Sequence, residues 1–166
     1  MKTSSYLSLF QTILKNYAFQ SNIIANENGQ EVLECFLGED KKFRPQILTT
    51  SVFEENLQVP SPIAHKFNDE SNILTKENEE LFVQLFLPLP FKASEINYGN
   101  LAKELMRINK TTLFPGFGLD ENTGLIFYRY TFLRPSGVMN KNQFIAIVGS
   151  ILLMIDTFEE DIELIA

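Results

Sequence analysis

The stretch DENTGLIFYRYTFL, Asp120–Leu133, decides the fold because it begins as a turn and continues as a strand with two different faces. The turn signal ends at Gly124, and β-branched and aromatic residues follow it. Alternate residues of a strand point to opposite sides. One side carries only apolar or aromatic residues, namely Ile126, Tyr128, Tyr130 and Phe132. The other side carries Leu125, Phe127, Arg129, Thr131 and Leu133. The strand therefore predicts a sheet with one buried face and one face of mixed character.

Three upstream strands repeat this two-faced pattern. We predict them at Glu31–Leu37, Gln46–Phe53 and Leu81–Pro90, and we predict that Thr112–Pro135 is a hairpin folded at ENTG. Their first face is nearly all apolar: Leu33, Cys35, Leu37, Leu48, Thr50, Val52, Leu81, Val83, Leu85 and Leu87. Their second face is apolar at its ends and polar in its centre: Val32, Glu34, Phe36, Ile47, Thr49, Ser51, Phe53, Phe82, Gln84 and Phe86.

Three helices are predicted from apolar residues at helical spacing. They cover Tyr6–Tyr17, Tyr98–Ile108 and Asn140 to about Phe158. We expect the last helix to end near Phe158, because the acids after it oppose the helix dipole. The order α-β-β-β-α-β-β-α lacks regular βαβ alternation, so it predicts an α+β fold with an antiparallel sheet and helices mainly on one face. The prediction is a single domain, residues 1–166, with a polar inserted loop at about residues 54–80.

Whole-chain properties narrow the classes of partner. The chain has 166 residues, 45% of them hydrophobic, and a net charge of −7. Nucleic acids and anionic membranes attract basic surfaces, so we predict neither as a partner, since Lys41, Lys42 and Arg44 form only a short isolated run. The longest apolar run, Phe144–Ile155, is too short to span a bilayer, and no signal peptide is visible. A cytoplasmic protein is expected.

No catalytic signature is visible in the sequence. The single histidine, His65, lies in the polar segment, and the single cysteine, Cys35, lies in an apolar run that predicts a buried thiol. Nucleophilic catalysis usually needs a base beside the nucleophile, and a zinc site needs several Cys or His ligands. We therefore predict a non-enzymatic protein with no catalytic residues, no metal and no cofactor.

The mixed face of the sheet is open to two interpretations. In the first, the second helix or the long loop covers it, and Glu34 and Arg129 are satisfied locally. In the second, it is an interaction surface, within a homodimer or with a partner polypeptide, since apolar patches rimmed by polar groups tend to mark interfaces. Glu34 is a candidate partner for Arg129. The candidate partner-binding residues are Phe82, Gln84, Phe86, Phe127, Arg129 and Leu133.

Two segments of the C-terminal half carry a family resemblance. GLDENTGLIFYRYTFL and NQFIAIVGSILLMIDTFEEDIELI resemble the hairpin and last helix of the secretory-chaperone-like fold, which type III secretion chaperones and YbjN-type proteins share. The resemblance implies a homodimeric protein that holds extended segments of other proteins on apolar patches. It also implies dimer contacts from the second helix, here Tyr98, Leu101 and Leu105, and for the YbjN branch a regulatory or adaptor role.

Two other hypotheses compete with this one. The first is a small-ligand-binding protein or an enzyme, with a pocket under the long loop near His65. A deep pocket lined by His65 and carboxylates would favour it. The second is a structural subunit of a larger assembly, which would bury far more surface than a simple dimer.

Overall fold

A computed structural model describes residues 3–54, 81–113, 116–133 and 140–166. Within these residues the chain forms three α-helices, six strands and one short 3₁₀ helix at Glu95–Asn97. The helices are α1 (Thr3–Asn16), α2 (Tyr98–Thr111) and α3 (Lys141–Ile165). The strands are β1 (Gln20–Ala25), β2 (Glu31–Glu39), β3 (Pro45–Glu54), β4 (Leu81–Lys92), β5 (Phe117–Asp120) and β6 (Leu125–Leu133).

The strands form one sheet in the order β1-β2-β3-β4-β6-β5, and every neighbouring pair is antiparallel. The predicted α+β class and antiparallel sheet are confirmed. The predicted apolar face is also confirmed, because its apolar residues lie in the hydrophobic core or pack against it and Thr50 is fully buried. In β4 the alternation is complete from Leu81 to Leu89, with odd positions buried and even positions half-buried.

All three helices contribute to the core on that face. In α1 the buried residues follow helical spacing, and Phe10 stacks on Phe144 of α3 with ring centroids 4.4 Å apart. In α2, Leu101, Leu105 and Ile108 are buried in the same core. The helices therefore lie mainly on one side of the sheet, as predicted.

The predicted turn between β5 and β6 is confirmed, and its residues show why the chain reverses there. Asp120 accepts hydrogen bonds from the amide of Asn122 at 3.0 Å and from the hydroxyl of Thr123 at 2.6 Å. Gly124 has φ +71, and a Cβ atom there would lie 2.8 Å from the carbonyl oxygen of Ala93. Only glycine meets both conditions without strain.

The sheet has one strand more than the sequence pattern predicts. The additional strand is β1, Gln20–Ala25, which pairs with β2 through the NENG turn. Its side chains are mostly polar or exposed, so it carries no clear apolar alternation. Strand β4 also continues through Pro88 and Pro90 to Lys92, past its predicted end, with a register shift between Pro88 and Lys92.

The last helix is longer than predicted. It continues past Phe158 to Ile165 because its acidic side chains find cations in the loop between β2 and β3. Glu163 pairs with Lys42 at 2.8 Å and with Arg44 at 2.9 Å, and Ile162 is fully buried. These contacts outweigh the unfavourable helix dipole, so the expectation of an early end was wrong.

The predicted inserted loop falls almost entirely on residues 55–80, which lie outside the described residues. His65 lies there too, so a pocket beside it stays a prediction. In the part of the chain that the structure describes, no helix has the length and apolar character needed to cross a membrane.

Candidate functional site

The face of the sheet opposite the helices, called the open face below, is the candidate site. It carries the even-numbered side chains of β1, β2 and β4 and the odd-numbered ones of β3 and β6. Most of them are half-buried or exposed, and the exposed fractions of Phe36, Ile47 and Leu133 are 39%, 39% and 48%. All six candidate partner-binding residues lie on this face: Phe82, Gln84, Phe86, Phe127, Arg129 and Leu133.

One row of cross-strand neighbours runs across the open face. Asn22 lies opposite Glu34, Glu34 opposite Thr49, Thr49 opposite Phe86, and Phe86 opposite Arg129. Glu34 and Arg129 are therefore three strand spacings apart, which is about 14 Å. The prediction that Glu34 is the partner of Arg129 was wrong, because β3 and β4 lie between their strands.

Aromatic rings on neighbouring strands pair across the open face. Phe53 of β3 stacks on Phe82 of β4 at 5.8 Å between ring centroids. Phe86 of β4 packs against Phe127 of β6 at 5.1 Å. The guanidinium of Arg129 lies 5.8 Å from the centroid of the Phe127 ring, within range of a cation–π contact. The two ring pairs form two apolar patches, and the second has a positive charge at its edge.

Polar side chains separate these two patches. The hydroxyl of Thr131 donates to the amide oxygen of Gln84 at 3.4 Å. Toward β1, the face sinks into a shallow depression of about 560 Å³. Its lining includes Glu34, Thr49, Ser51, Gln84 and Phe86, together with residues of β1 and of the β1–β2 turn. On the open face, apolar patches therefore alternate with polar patches, each only one or two side chains wide.

The second helix does not cover this face. Leu101, Leu105 and Ile108 belong to the core on the other side of the sheet, and α2 flanks β5 there. The interpretation that α2 covers the mixed face was therefore wrong. The interpretation that the long loop covers it concerns residues 55–80, outside the described residues.

The structure places the three dimer-contact candidates differently from one another. Leu101 and Leu105 are 0% and 3% exposed, so they stabilise the fold of a single chain. Tyr98 is half-buried and lines a groove between α2 and β5, beside Met106, which is 72% exposed. Of the three candidates, only Tyr98 therefore has accessible side-chain surface that a second copy of the chain could contact in this conformation.

The sequence pattern missed residues at both ends of the sheet. Asn22 and Ile24 join the open face from β1, a strand with no apolar alternation to reveal it. Arg44 in the β2–β3 loop donates to Asp40 in the same loop and to Glu163 at the end of α3. The contact with Glu163 joins residues more than a hundred positions apart, and no local spacing signals such a pairing.

The chemistry of the described residues is limited. Burial raises the pKa of the Cys35 thiol to about 11, so this thiol is protonated at neutral pH and is a weak nucleophile. Within residues 3–54, 81–113, 116–133 and 140–166, no group of three or more His, Cys, Asp or Glu side chains is placed to hold a metal ion.

Comparison with known sequences assigns the family. No curated protein matches the chain. The sequence pattern of the YbjN family, described as "putative bacterial sensory transduction regulator", matches residues 71–164, which is more than half of the chain. The match includes β4, α2, the β5–β6 hairpin and nearly all of α3. The chain belongs to the YbjN family.

Proposed function

We propose that the protein is a non-enzymatic regulatory adaptor that binds a segment of a partner protein on the open face of its sheet. The family description of a sensory transduction regulator supports the regulatory part. A cytoplasmic location belongs to the proposal, since the single cysteine, Cys35, is buried and unpaired. A homodimer belongs to it as well, with the surface around Tyr98 and Met106 as the contact.

One observation carries the binding proposal. The three described helices leave one face of the six-stranded sheet uncovered, and the paired rings of Phe53–Phe82 and Phe86–Phe127 lie on that face. Five strand spacings of about 4.8 Å and strands of roughly 30 Å make a face of about 700 Å². One partner in a stable complex contributes about 800 Å². The open face is therefore close in size to one side of a standard interface, which suits a single extended protein segment.

The chemistry of the face specifies what the segment must look like. Along β4, neighbouring side chains on this face are about 7 Å apart, so Phe82 and Phe86 lie roughly 13 Å apart with Gln84 between them. A segment with apolar side chains at matching intervals covers the ring pairs. Polar groups between them can accept hydrogen bonds from the Gln84 amide and from Arg129. Aromatic and arginine side chains are the types that dominate binding energy at protein interfaces.

Affinity capture from native cell extract tests the proposal, with the mass of the free protein measured alongside. The test variants are Phe86→Asp and Phe127→Asp, each of which places a charge inside an aromatic pair. The matched control is Leu153→Asp, because Leu153 is 60% exposed on α3, away from the open face. We expect both test variants to lose a protein that the wild type and the control retain, while their circular dichroism spectra stay native.

Two results would contradict the proposal. If both test variants unfold, the rings are core residues and not a binding surface. If both fold and still capture the same protein as the wild type, the partner binds elsewhere. If the mass of the free protein equals that of one chain, the homodimer is contradicted. Binding at the open face is not affected by that result, because the two surfaces share no residue.

A further inference from the structure

A buried carboxyl group joins the end of α3 to the loop between β2 and β3. Glu159 is 7% exposed, and its Oε2 accepts a long hydrogen bond of 3.4 Å from the Gln46 side chain. Its Oε1 is buried and accepts no hydrogen bond from the described residues. Among the described residues the nearest cation is Arg44, whose Nη2 lies 3.9 Å from Oε1, beyond hydrogen-bond distance. A buried carboxylate oxygen without a donor is costly when it is charged.

The guanidinium near Glu159 is already occupied by two other carboxylates. Arg44 Nε donates to Asp40 at 2.6 Å, while Nη1 and Nη2 donate to the two oxygens of Glu163 at 2.9 Å each. The Asp40 side chain is nearly inaccessible, and it also accepts from the amides of Lys42 and Arg44 at 2.8 Å each. Arg44 therefore forms hydrogen bonds with Asp40 and Glu163, and of the three carboxylates around it Glu159 is the one that it neutralises least.

The charged groups around Glu159 come from two elements. The β2–β3 loop supplies Asp40, Lys41, Lys42 and Arg44, and α3 itself supplies Asp156, Glu160 and Glu163, all of which line one small crevice with Glu159. Lys41 pairs with Glu160 at 3.1 Å and Lys42 with Glu163 at 2.8 Å. Both lysines are thus engaged by other acids. Three carboxylates, those of Asp40, Glu159 and Glu163, surround one arginine.

We propose that Glu159 is a proton-dependent clamp between the β2–β3 loop and the last turns of α3. When Glu159 is protonated, its O–H donates a hydrogen bond to the Asp40 carboxylate and the clamp is closed. When Glu159 is ionised, its carboxylate faces those of Asp40 and Glu163 with only the long hydrogen bond from Gln46, and the loop and the helix end separate more readily. The proton goes to and comes from solvent, and no bond other than O–H changes.

The direction of the pH dependence follows from the cluster. Burial, together with the negative charge of Asp40, raises the pKa of Glu159 to about 7. The folded protein therefore holds this proton at a pH where the unfolded chain has released it. The stabilisation is fully present below the ordinary pKa of a glutamate and is lost as the pH rises through about 7.

Urea unfolding of the full chain between pH 5.5 and 8.5 tests the clamp, with Glu159→Gln as the test variant. The amide keeps the shape of the protonated carboxyl but cannot ionise. Glu160→Gln is the matched control, because it is the same change on the next residue, whose side chain is 65% exposed. We expect the unfolding constant of the wild type, divided by that of Glu159→Gln, to rise by roughly 10- to 100-fold from pH 5.5 to 8.5. Glu160→Gln should follow the wild type.

Hydrogen exchange on the unmodified protein provides a second measurement that does not depend on the variant folding. After correction for intrinsic rates, the amides of residues 40–44 and 156–165 should lose more protection between pH 6 and 8 than the β3–β4 ladder, which loses only what global destabilisation causes. The clamp is refuted if protection in these two segments is independent of pH. It is equally refuted if Glu159→Gln retains the wild-type pH dependence of unfolding.

Discussion

Arg44 and Glu163 form a two-point ion pair across 119 positions of sequence, with Nη1–Oε1 and Nη2–Oε2 both at 2.9 Å. Paired donors of this kind fix the orientation of both groups as well as their distance. The same guanidinium lies 5.2 Å from the centroid of the Phe91 ring on β4. Arg44 therefore connects the β2–β3 loop, the sheet and the C-terminal end of α3.

Replacing Arg44 by alanine should destabilise the fold by about 2 kcal/mol, because it leaves the buried Asp40 without its cation. Arg44→Lys should recover only part of this loss, since an ammonium group cannot make the paired contact. Urea unfolding at pH 7 measures both variants. Lys41→Ala is the control, because its pair with Glu160 is exposed, and it should unfold with the wild type. Equal effects of Arg44→Ala and Lys41→Ala would contradict the role assigned to Arg44.

Glu163 should contribute to the loss of folding stability at acidic pH. Hydrogen bonds from Arg44 and Lys42 lower the pKa of Glu163 below its ordinary value of 4.5. A lowered carboxyl pKa stabilises the fold above the ordinary value, and this contribution is lost as the pH falls through the folded pKa. Glu163→Gln should therefore be less stable than the wild type at pH 7, and the difference should shrink as the pH falls below about 4. Urea midpoints at pH 7, 5, 4 and 3 test this, and a gap that stays constant would contradict it.

Asn109 should be irreplaceable at the junction of α2 and β5. Its Oδ1 accepts from the amides of Gly116 and Phe117 at 3.0 Å each, and its Nδ2 donates to the carbonyl of Phe117 at 2.8 Å. Asn109→Ala should cost about 2–3 kcal/mol, at roughly 1 kcal/mol for each hydrogen bond.

Asn109→Asp distinguishes the donor from the acceptor at this junction. The aspartate keeps the acceptor but turns an oxygen toward the Phe117 carbonyl, so it should be destabilised at pH 7 and partly restored when protonated. Urea unfolding at pH 7 and pH 4 measures this. Asn100→Ala, at an exposed position on the same helix, should behave as wild type. An Asn109→Asp variant as stable as the wild type at both pH values would contradict the donor role assigned to the Asn109 amide nitrogen.

Two glycines at the β5 edge should respond differently to the same substitution. A Cβ atom at Gly116 would lie 2.6 Å from the carbonyl oxygen of Arg129, which is backbone and cannot give way. A Cβ atom at Gly118 would lie 2.5 Å from the tip of the Phe127 ring, which can rotate. Thermal unfolding should show the greater loss for Gly116→Ala. Gly118→Ala should instead weaken partner capture, because the Phe127 ring must leave its place over Gly118, which disturbs its packing against Phe86. The reverse order of stabilities would overturn this explanation.

The sequence predicted the two faces of the sheet well, because the side on which a strand residue lies depends only on its position along that strand. Residues two apart share a side, so β4 and β6 each reveal an apolar and a mixed face without reference to the rest of the chain. The candidate residues Phe82 and Phe127 were placed on one face in this way. Strand β1 was missed for the same reason, since its side chains carry no such alternation and it is identified only by its pairing with β2.

Contacts between distant residues were beyond the reach of the pattern. Glu34 and Arg129 were matched by charge and face, but strand order decides distance within a sheet, and it places β3 and β4 between them. The end of α3 was misjudged because the dipole rule considers one helix alone. The basic residues that pair with its acidic side chains, Lys41, Lys42 and Arg44, lie more than a hundred positions away in the β2–β3 loop.

The sequence by itself determined the fold class, the turn at Gly124, the apolar face beneath the helices and the mixed face opposite it. These features follow from residue type at spacings of two to four, which set local conformation and burial. The tertiary structure alone decided which charges meet, that α2 packs on the apolar side of the sheet, and that Leu101 and Leu105 are core residues. Those outcomes depend on strand order and helix packing, which bring together groups that the chain keeps far apart.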